Sequence, residues 1–275
     1  MILTGASRDS RVGRGFYLLC SLCFLLFNSS SFSAVIRVQG PSPPVISTAA
    51  PSSLNTNLIA YWKMEEASGT RVDSEPTGTP QDVADNATVT QTTGIIGNAA
   101  FFTAANSEFL SRADSADLSA GDIDFSATAW VKLATVGQFQ TIIGQYGGAG
   151  QRSWQIRAGT TTNFEFVVSP DATASTTRGA TTFGIIPVNT WCFIFAAHDS
   201  VNNLIKISVN NGTVQTTAYS TGVIDSASDF RIGANLSGFY VDGAIDEVGL
   251  WKKVLSAAEI TELYNAGAGK TCCPF

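Results

Sequence analysis

"GAIDEVGLWKKVLSAAEITELYNAG", residues 243–267, reads as a strand followed by a short helix. The strand, 243–251, is apolar apart from two adjacent acids, Asp246 and Glu247. The helix opens at Ser256, with Glu259 three residues later. That spacing is a capping box, in which each residue's side chain bonds the other's backbone N–H. Leu255 and Ile260 occupy hydrophobic-staple positions. Ile260, Leu263 and Tyr264 form an apolar stripe, and Gly267 is placed to end the helix in a left-handed turn. So short a helix is marginal alone, so it is expected to pack on the edge or end of whatever the strand belongs to.

Similar strands precede it. Runs at 57–64, 124–133, 140–146, 153–159, 163–169, 190–199 and 203–219 are rich in Val, Ile, Thr and aromatics. In 124–133, Phe125, Ala127, Ala129, Val131 and Leu133 alternate with Ser126, Thr128, Trp130 and Lys132, the period of two that marks a strand. Gly, Asn and Asp separate the runs, which indicates an all-β sandwich or barrel. "NNGT" at 210–213 favours a tight hairpin turn.

The 275 residues are 44% hydrophobic and 14% charged, with a formal net charge of −6. Such a chain buries a sizeable core. Its acidity and lack of a basic patch argue against a nucleic-acid partner. Arg8, Arg11 and Arg14 precede the apolar run 16–27, and small residues follow. This order describes a secretory signal over 1–34, cleaved near Ser33 or Ala34. The apolar run is short of the ~20 residues that span a bilayer, so no membrane insertion is expected after cleavage. The Pro-, Ser- and Thr-rich stretch within 35–56 reads as a flexible linker, 57–269 as one domain and 270–275 as a Cys-containing tail. Localisation is then secreted, extracellular or at the cell surface, with the periplasm as a further compartment. Cys192, Cys272 and Cys273 remain after cleavage, an odd number. Cys272 and Cys273 can bridge each other, or one can reach Cys192.

The segments 58–74, 94–102, 123–133 and 243–267 stand in an order that resembles the laminin G-like modules of the concanavalin A-like lectin and glucanase superfamily. The resemblance spans roughly residues 55–269 and is most specific at 243–267. It implies a two-sheet antiparallel jelly-roll sandwich with one short helix in the C-terminal region. Exported members commonly act as adhesion or glycan-binding modules, some with a bound calcium ion, whereas other branches are glycoside hydrolases or lyases. A structural surface protein is a third class. Fold fixes activity poorly.

The acids discriminate among these classes. Glycosidases need two carboxyls roughly 5–9 Å apart on one face. On a regular strand, Ile245, Glu247, Gly249 and Trp251 share one face and Ala244, Asp246, Val248 and Leu250 the other, which separates Asp246 from Glu247. No Glu-x-Asp-x-Glu run occurs, Glu65 and Glu66 are adjacent, and Asp122 and Asp124 read as turn residues beside Gly121. The one histidine, His198, has no nucleophile elbow to serve. A non-catalytic binding or adhesion module for carbohydrate or a surface polymer is favoured over an enzyme. Asp246, on an apolar face, is expected either to accept backbone N–H bonds from a loop or to help hold calcium. Glu247 is expected to face solvent or tie to a cation. In the calcium reading the resemblance implies Asp73 in "RVDSEPTG" as the matching carboxylate, with Asn98 as a further oxygen. Glu75, Pro76 and Thr77 depart from the family's loop pattern there. Trp62, Trp130 and Trp251 are expected in the core. Trp154, Tyr146, Arg152 and Tyr240 are expected to line a loop-borne ligand surface, since sugars stack on aromatic faces.

Overall fold

In the computed structural model, residues 52–272 are described, apart from 76, 77 and 149. The expected signal, the linker up to residue 51 and Cys273 lie outside the described residues. The strands are β1 (Leu58–Trp62), β2 (Ala84–Asn86), β3 (Thr90–Thr93), β4 (Asn98–Phe102), β5 (Phe109–Arg112), β6 (Phe125–Leu133), β7 (Gln140–Tyr146) and β8 (Arg152–Ala158). They continue as β9 (Phe164–Val168), β10 (Thr176–Gly179), β11 (Cys192–Asp199), β12 (Leu204–Val209), β13 (Gln215–Ala218), β14 (Phe230–Ile232) and β15 (Gly243–Trp251). One sheet runs β13-β12-β11-β6-β15-β4-β3, with β1 also on β15, and the other runs β10-β9-β8-β7-β14-β5-β2. The pairings are antiparallel, so the two sheets form the jelly-roll sandwich.

Period-two patterning sets the core. Ala127, Ala129, Val131 and Leu133 of β6 face Trp154, Ile156 and Ala158 of β8 across the interior. Trp62 stacks on Phe230 at 5.2 Å between ring centres, and Trp154 lies 5.3 Å from Phe125. The other face of the first sheet carries Tyr61, Trp130, Phe193, Phe195 and Trp251, and is also covered. Its cover is the helix α1 (Ala257–Tyr264), which brings Tyr264 onto Trp130 at 5.7 Å and 11° between rings.

The capping box of α1 forms as its spacing requires, and the staple residues Leu255 and Ile260 are both buried. The helix ends earlier than expected: Asn265, at φ 46°, takes the left-handed position assigned to Gly267. In the β12–β13 hairpin, Asn210 and Asn211 hold the positive φ angles. Residues 52–56, expected to be linker, join the body. Ser53–Asn55 form a 3₁₀ turn, Leu54 is fully buried, and its carbonyl accepts the Trp251 indole N–H at 2.7 Å. Cys192 is buried and free, and burial pushes its thiol up to about 11. Cys272 is buried and disulfide-bonded, so the Cys192–Cys272 bridge is not formed.

Glu259 ties the helix start to the chain entering the domain. It accepts from Lys253 at 2.5 Å, from the Ser53 hydroxyl at 2.6 Å and from the Ser256 N–H at 2.8 Å. Burial alone would raise its carboxyl, but these bonds outweigh it and hold it at about 2. Stability from Glu259 is therefore present above its ordinary range and lost as pH falls toward 2. Glu259→Gln should cost on the order of 1–2 kcal/mol at pH 7 and flatten the acid limb of a urea-unfolding series.

Candidate functional site

Asp246 and Glu247 sit where β15 changes neighbours. Along one edge, Gly243–Ile245 pair with β4, whereas Val248–Trp251 pair with β1. Along the other edge, pairing with β6 slips between Asp246 and Gly249, and Glu247 adopts φ 46°. This is a β-bulge, and it breaks the two-residue alternation. Ile245, Val248 and Leu250 all face the inter-sheet core. Asp246 and Glu247 both turn to the outer side, toward Ile95 and Tyr61 respectively. The expectation that regular alternation places them on opposite faces is thus corrected. They still form no cleft, because neither reaches solvent, at 0% and 2% exposed.

Each carboxyl is taken up by its neighbours. Asp246 accepts from the N–H groups of Ile95 (2.9 Å), Ile96 (3.2 Å) and Glu247 (2.9 Å). Glu247, expected to face solvent or tie to a cation, is buried and accepts from the Tyr61 hydroxyl and from Thr271 at 3.0 Å. Burial pushes Asp246 up to about 8 despite those N–H bonds, and the neighbouring Glu247 charge adds to the rise. Burial likewise raises Glu247 and the Tyr61 phenol.

Asp246 and Asp73, expected either to pin a loop through backbone N–H bonds or to hold calcium together with Asn98, both accept backbone N–H groups. Asp73 accepts from the N–H groups of Tyr61, Glu75 and Gln81, each at 2.9 Å, and so pins its loop to β1. Asn98 donates from its backbone and its side chain to Glu65. Among the described residues no group of three or more His, Cys, Asp or Glu is placed to hold a metal. His198 is buried, with Nδ1 2.8 Å from the Ile123 carbonyl, and Asp124 accepts from Ser200.

The four residues expected to form one ligand surface do not meet on one surface. Trp154 is 1% exposed and packs in the core among Phe125, Phe166 and Phe230, which corrects its placement on a surface. Tyr146 is buried at the end of β7, opposite Arg152, whose guanidinium donates to the Thr173 carbonyl. Tyr240 lies beyond the opposite end of β7, half-buried, with partners not foreseen from the sequence.

Those partners build an aromatic ledge. The segment 233–241 lies along β7: Gly233 N–H bonds the Ile142 carbonyl at 2.9 Å, and Thr141 N–H bonds the Phe239 carbonyl at 2.8 Å. Asn235, buried beneath, donates to Gln155 and accepts from the Ser237 and Phe239 N–H groups. Phe239 is thereby set 5.2 Å from Phe139, and Tyr240 6.3 Å from Phe109. All four rings are half-buried. The Arg157 guanidinium lies 4.1 Å over Phe139 and that of Arg231 lies 4.3 Å over Phe109. Beside Phe139, Phe239 and Tyr240 is a hollow of about 460 Å³, with Gln138 and Thr160 at its polar margin. A larger groove, about 710 Å³, lies between α1 and the outer face of the first sheet. Its walls are Phe195, Leu204, Val254 and Ile260, with the Asp199–Lys206 ion pair beside them. Of these two hollows, the one at the ledge is lined by several half-buried rings and uncharged polar groups.

Residues 107–261 match a laminin G-like family model described as the concanavalin A-like lectin/glucanases superfamily, and the chain belongs to this superfamily. No curated protein matches it. Among solved structures it is similar to domain 4 of AbnA, a GH43 extracellular arabinanase from Geobacillus stearothermophilus, in complex with arabinotriose. The identity is 19%, the TM-score 0.58 and the coverage 78% of this chain and 98% of that one. The binding domain of Paraclostridial Mosquitocidal Protein 1 is similar at 13% identity and TM-score 0.62, covering 78% of this chain and 53% of that one. The botulinum neurotoxin serotype D ligand binding domain, in complex with N-acetylneuraminic acid, is similar at 14% identity and TM-score 0.57, covering 78% and 52%. The chain thus spans about half the length of these two toxin domains. At such identities the likeness establishes the fold.

Asp246→Ala would leave three N–H groups without their acceptor and should cost on the order of 3 kcal/mol in denaturant unfolding. Because burial holds the folded carboxyl near 8, above its unfolded range, this group's stabilisation is full at acid pH and is lost as pH rises toward 8. Asp246→Asn should remove that slope from a series of unfolding curves between pH 4 and 8.

Proposed function

We propose that this protein is an exported, non-catalytic module that binds carbohydrate polymer through the ledge of Phe139, Phe239, Tyr240 and Phe109. The observation that carries the reading is the ledge itself: four half-buried rings fixed over one face of a lectin-like sandwich. Sugar rings present apolar C–H faces that stack on aromatics, and their hydroxyls bond a polar rim. Gln138 and Thr160 supply such a rim. The superfamily and the ligands held by similar structures, arabinotriose and N-acetylneuraminic acid, support carbohydrate as the ligand class. The basic start and apolar run of residues 8–27 support export. Hydrolysis has no support from the acid pair on β15, since both carboxyls are enclosed. No helix among the described residues is long and apolar enough to cross a membrane.

Affinity electrophoresis in gels carrying different polysaccharides tests this reading. Retardation by at least one of them is expected, without release of reducing ends. The double variant Phe239→Ala, Tyr240→Ala should weaken it about tenfold or more while unfolding at a near-normal denaturant midpoint, because both rings are half-exposed. Since Asp73, Asn98 and Asp246 lie outside this site, a chelator should leave the retardation unchanged. Binding abolished by chelator and restored by calcium would return the function to those residues, and indifference to every polysaccharide would refute the reading.

A further inference from the structure

The ledge is made of two halves built alike. Phe239 and Tyr240 are consecutive, yet each turns to a different partner ring, Phe139 and Phe109 respectively. Each partner ring is backed by an arginine, Arg157 on Phe139 and Arg231 on Phe109. A guanidinium over a ring face is held by the ring's quadrupole, so the arginines fix the two rings from one side. Both arginines are also countered. Arg157 meets Glu165 at 2.8 Å, with both side chains largely enclosed, and Arg231 meets Asp229 at 3.7 Å. Arg231 also donates to the Asn235 carbonyl. Two positive and two negative charges accompany the four rings, and among the described residues no charged side chain lines the hollow beside them.

We infer that the ledge binds a neutral oligosaccharide across two adjacent aromatic subsites, Phe139 with Phe239 and Tyr240 with Phe109. The inference rests on the carbohydrate-binding reading above and narrows it to a ligand class and a minimum length. The rings offer apolar area to successive sugar units. Gln138 and Thr160 offer hydroxyl partners at the first subsite. An acidic sugar would have to leave water for a surface whose cations are already paired, which costs free energy without return. A single sugar would occupy one half only, so two or more linked units are needed for the full contact.

Isothermal titration of the full chain with arabinotriose, cellotriose and trigalacturonic acid is the test. At least one neutral trimer should bind about tenfold or more tightly than trigalacturonic acid. Phe139→Ala and Tyr240→Ala, which change separate halves, should each weaken that trimer about threefold to tenfold, with near-ultraviolet circular dichroism confirming an intact fold. Asp229→Asn, which removes a half-exposed counter-charge, should narrow the preference for neutral over acidic trimer. Trigalacturonic acid bound as tightly as the neutral trimers would overturn the ligand class. A neutral trimer whose affinity ignores either ring variant would overturn the two-subsite arrangement while leaving carbohydrate binding intact. Silence toward all three trimers would count against the carbohydrate reading itself, and the inference would fall with it.

Discussion

The bulge at Asp246 and Glu247 is the constraint on which the rest of the first sheet depends. β15 is bordered on one side by β6 and on the other by two different strands, β4 for its first part and β1 for its last. Where one neighbour stops and the other begins, backbone N–H groups would be left buried and unpaired, a cost the chain must avoid. Asp246 accepts two of them, from Ile95 and Ile96 just ahead of β4. Glu247 holds the other neighbour by accepting from Tyr61 of β1, and Thr271 closes over it from the tail. The left-handed backbone at Glu247 turns both acids to the same side and returns Val248 to the core. One irregular residue thus joins three strands and the C-terminal segment.

Much of the fold was legible because long central strands advertise their period. β6, β7, β8 and β11 are apolar or alternating over seven to nine residues, and the expected runs match them within two residues at either end. The strands missed, β2, β3, β4, β5, β10 and β14, have three to five residues each, too few to display a period. The helix was legible because its signal is local: Ser256 and Glu259 specify a start whatever packs around them. Its end was less so, since Asn and Gly both accept the left-handed conformation and Asn265 comes first. The bulge was not legible. It arises from a change of strand partner, which a single strand's sequence does not encode, and the alternation argument failed at the residues where pairing slips.

The expected aromatic surface differs from the one the fold builds for a related reason. Trp154 is expected on a loop-borne surface, but β8 alternation carries its ring inward onto Phe125. Tyr240 belongs to the expected surface, whereas Phe109, Phe139 and Phe239 carry no sequence signal of their gathering beside it, because they lie at strand ends and in loops that meet only in the folded chain. The meeting itself follows from backbone bonding: residues 233–241 run along β7, and Asn235 sets the turn that presents Phe239 and Tyr240. A ledge fixed to a central strand of a sheet is ordered before any ligand arrives. Preorganisation of this kind lowers the entropy lost on binding.

The two sheets therefore divide the work. The outer face of the first sheet is covered by α1 and the tail, and it holds two carboxyls raised by burial, Asp246 and Glu247. A strongly shifted carboxyl commonly draws attention as a catalytic candidate. Here the shift and the enclosure have one cause: Asp246 is raised because water is excluded, and water or substrate must reach an acid that protonates a glycosidic oxygen. The second sheet offers the opposite arrangement. Its ledge is accessible to a ligand, and the side chains lining the hollow there are uncharged. Titratable groups are enclosed where they stabilise the fold, and half-buried neutral rings stand on the other sheet, a division that accords with the binding role proposed above.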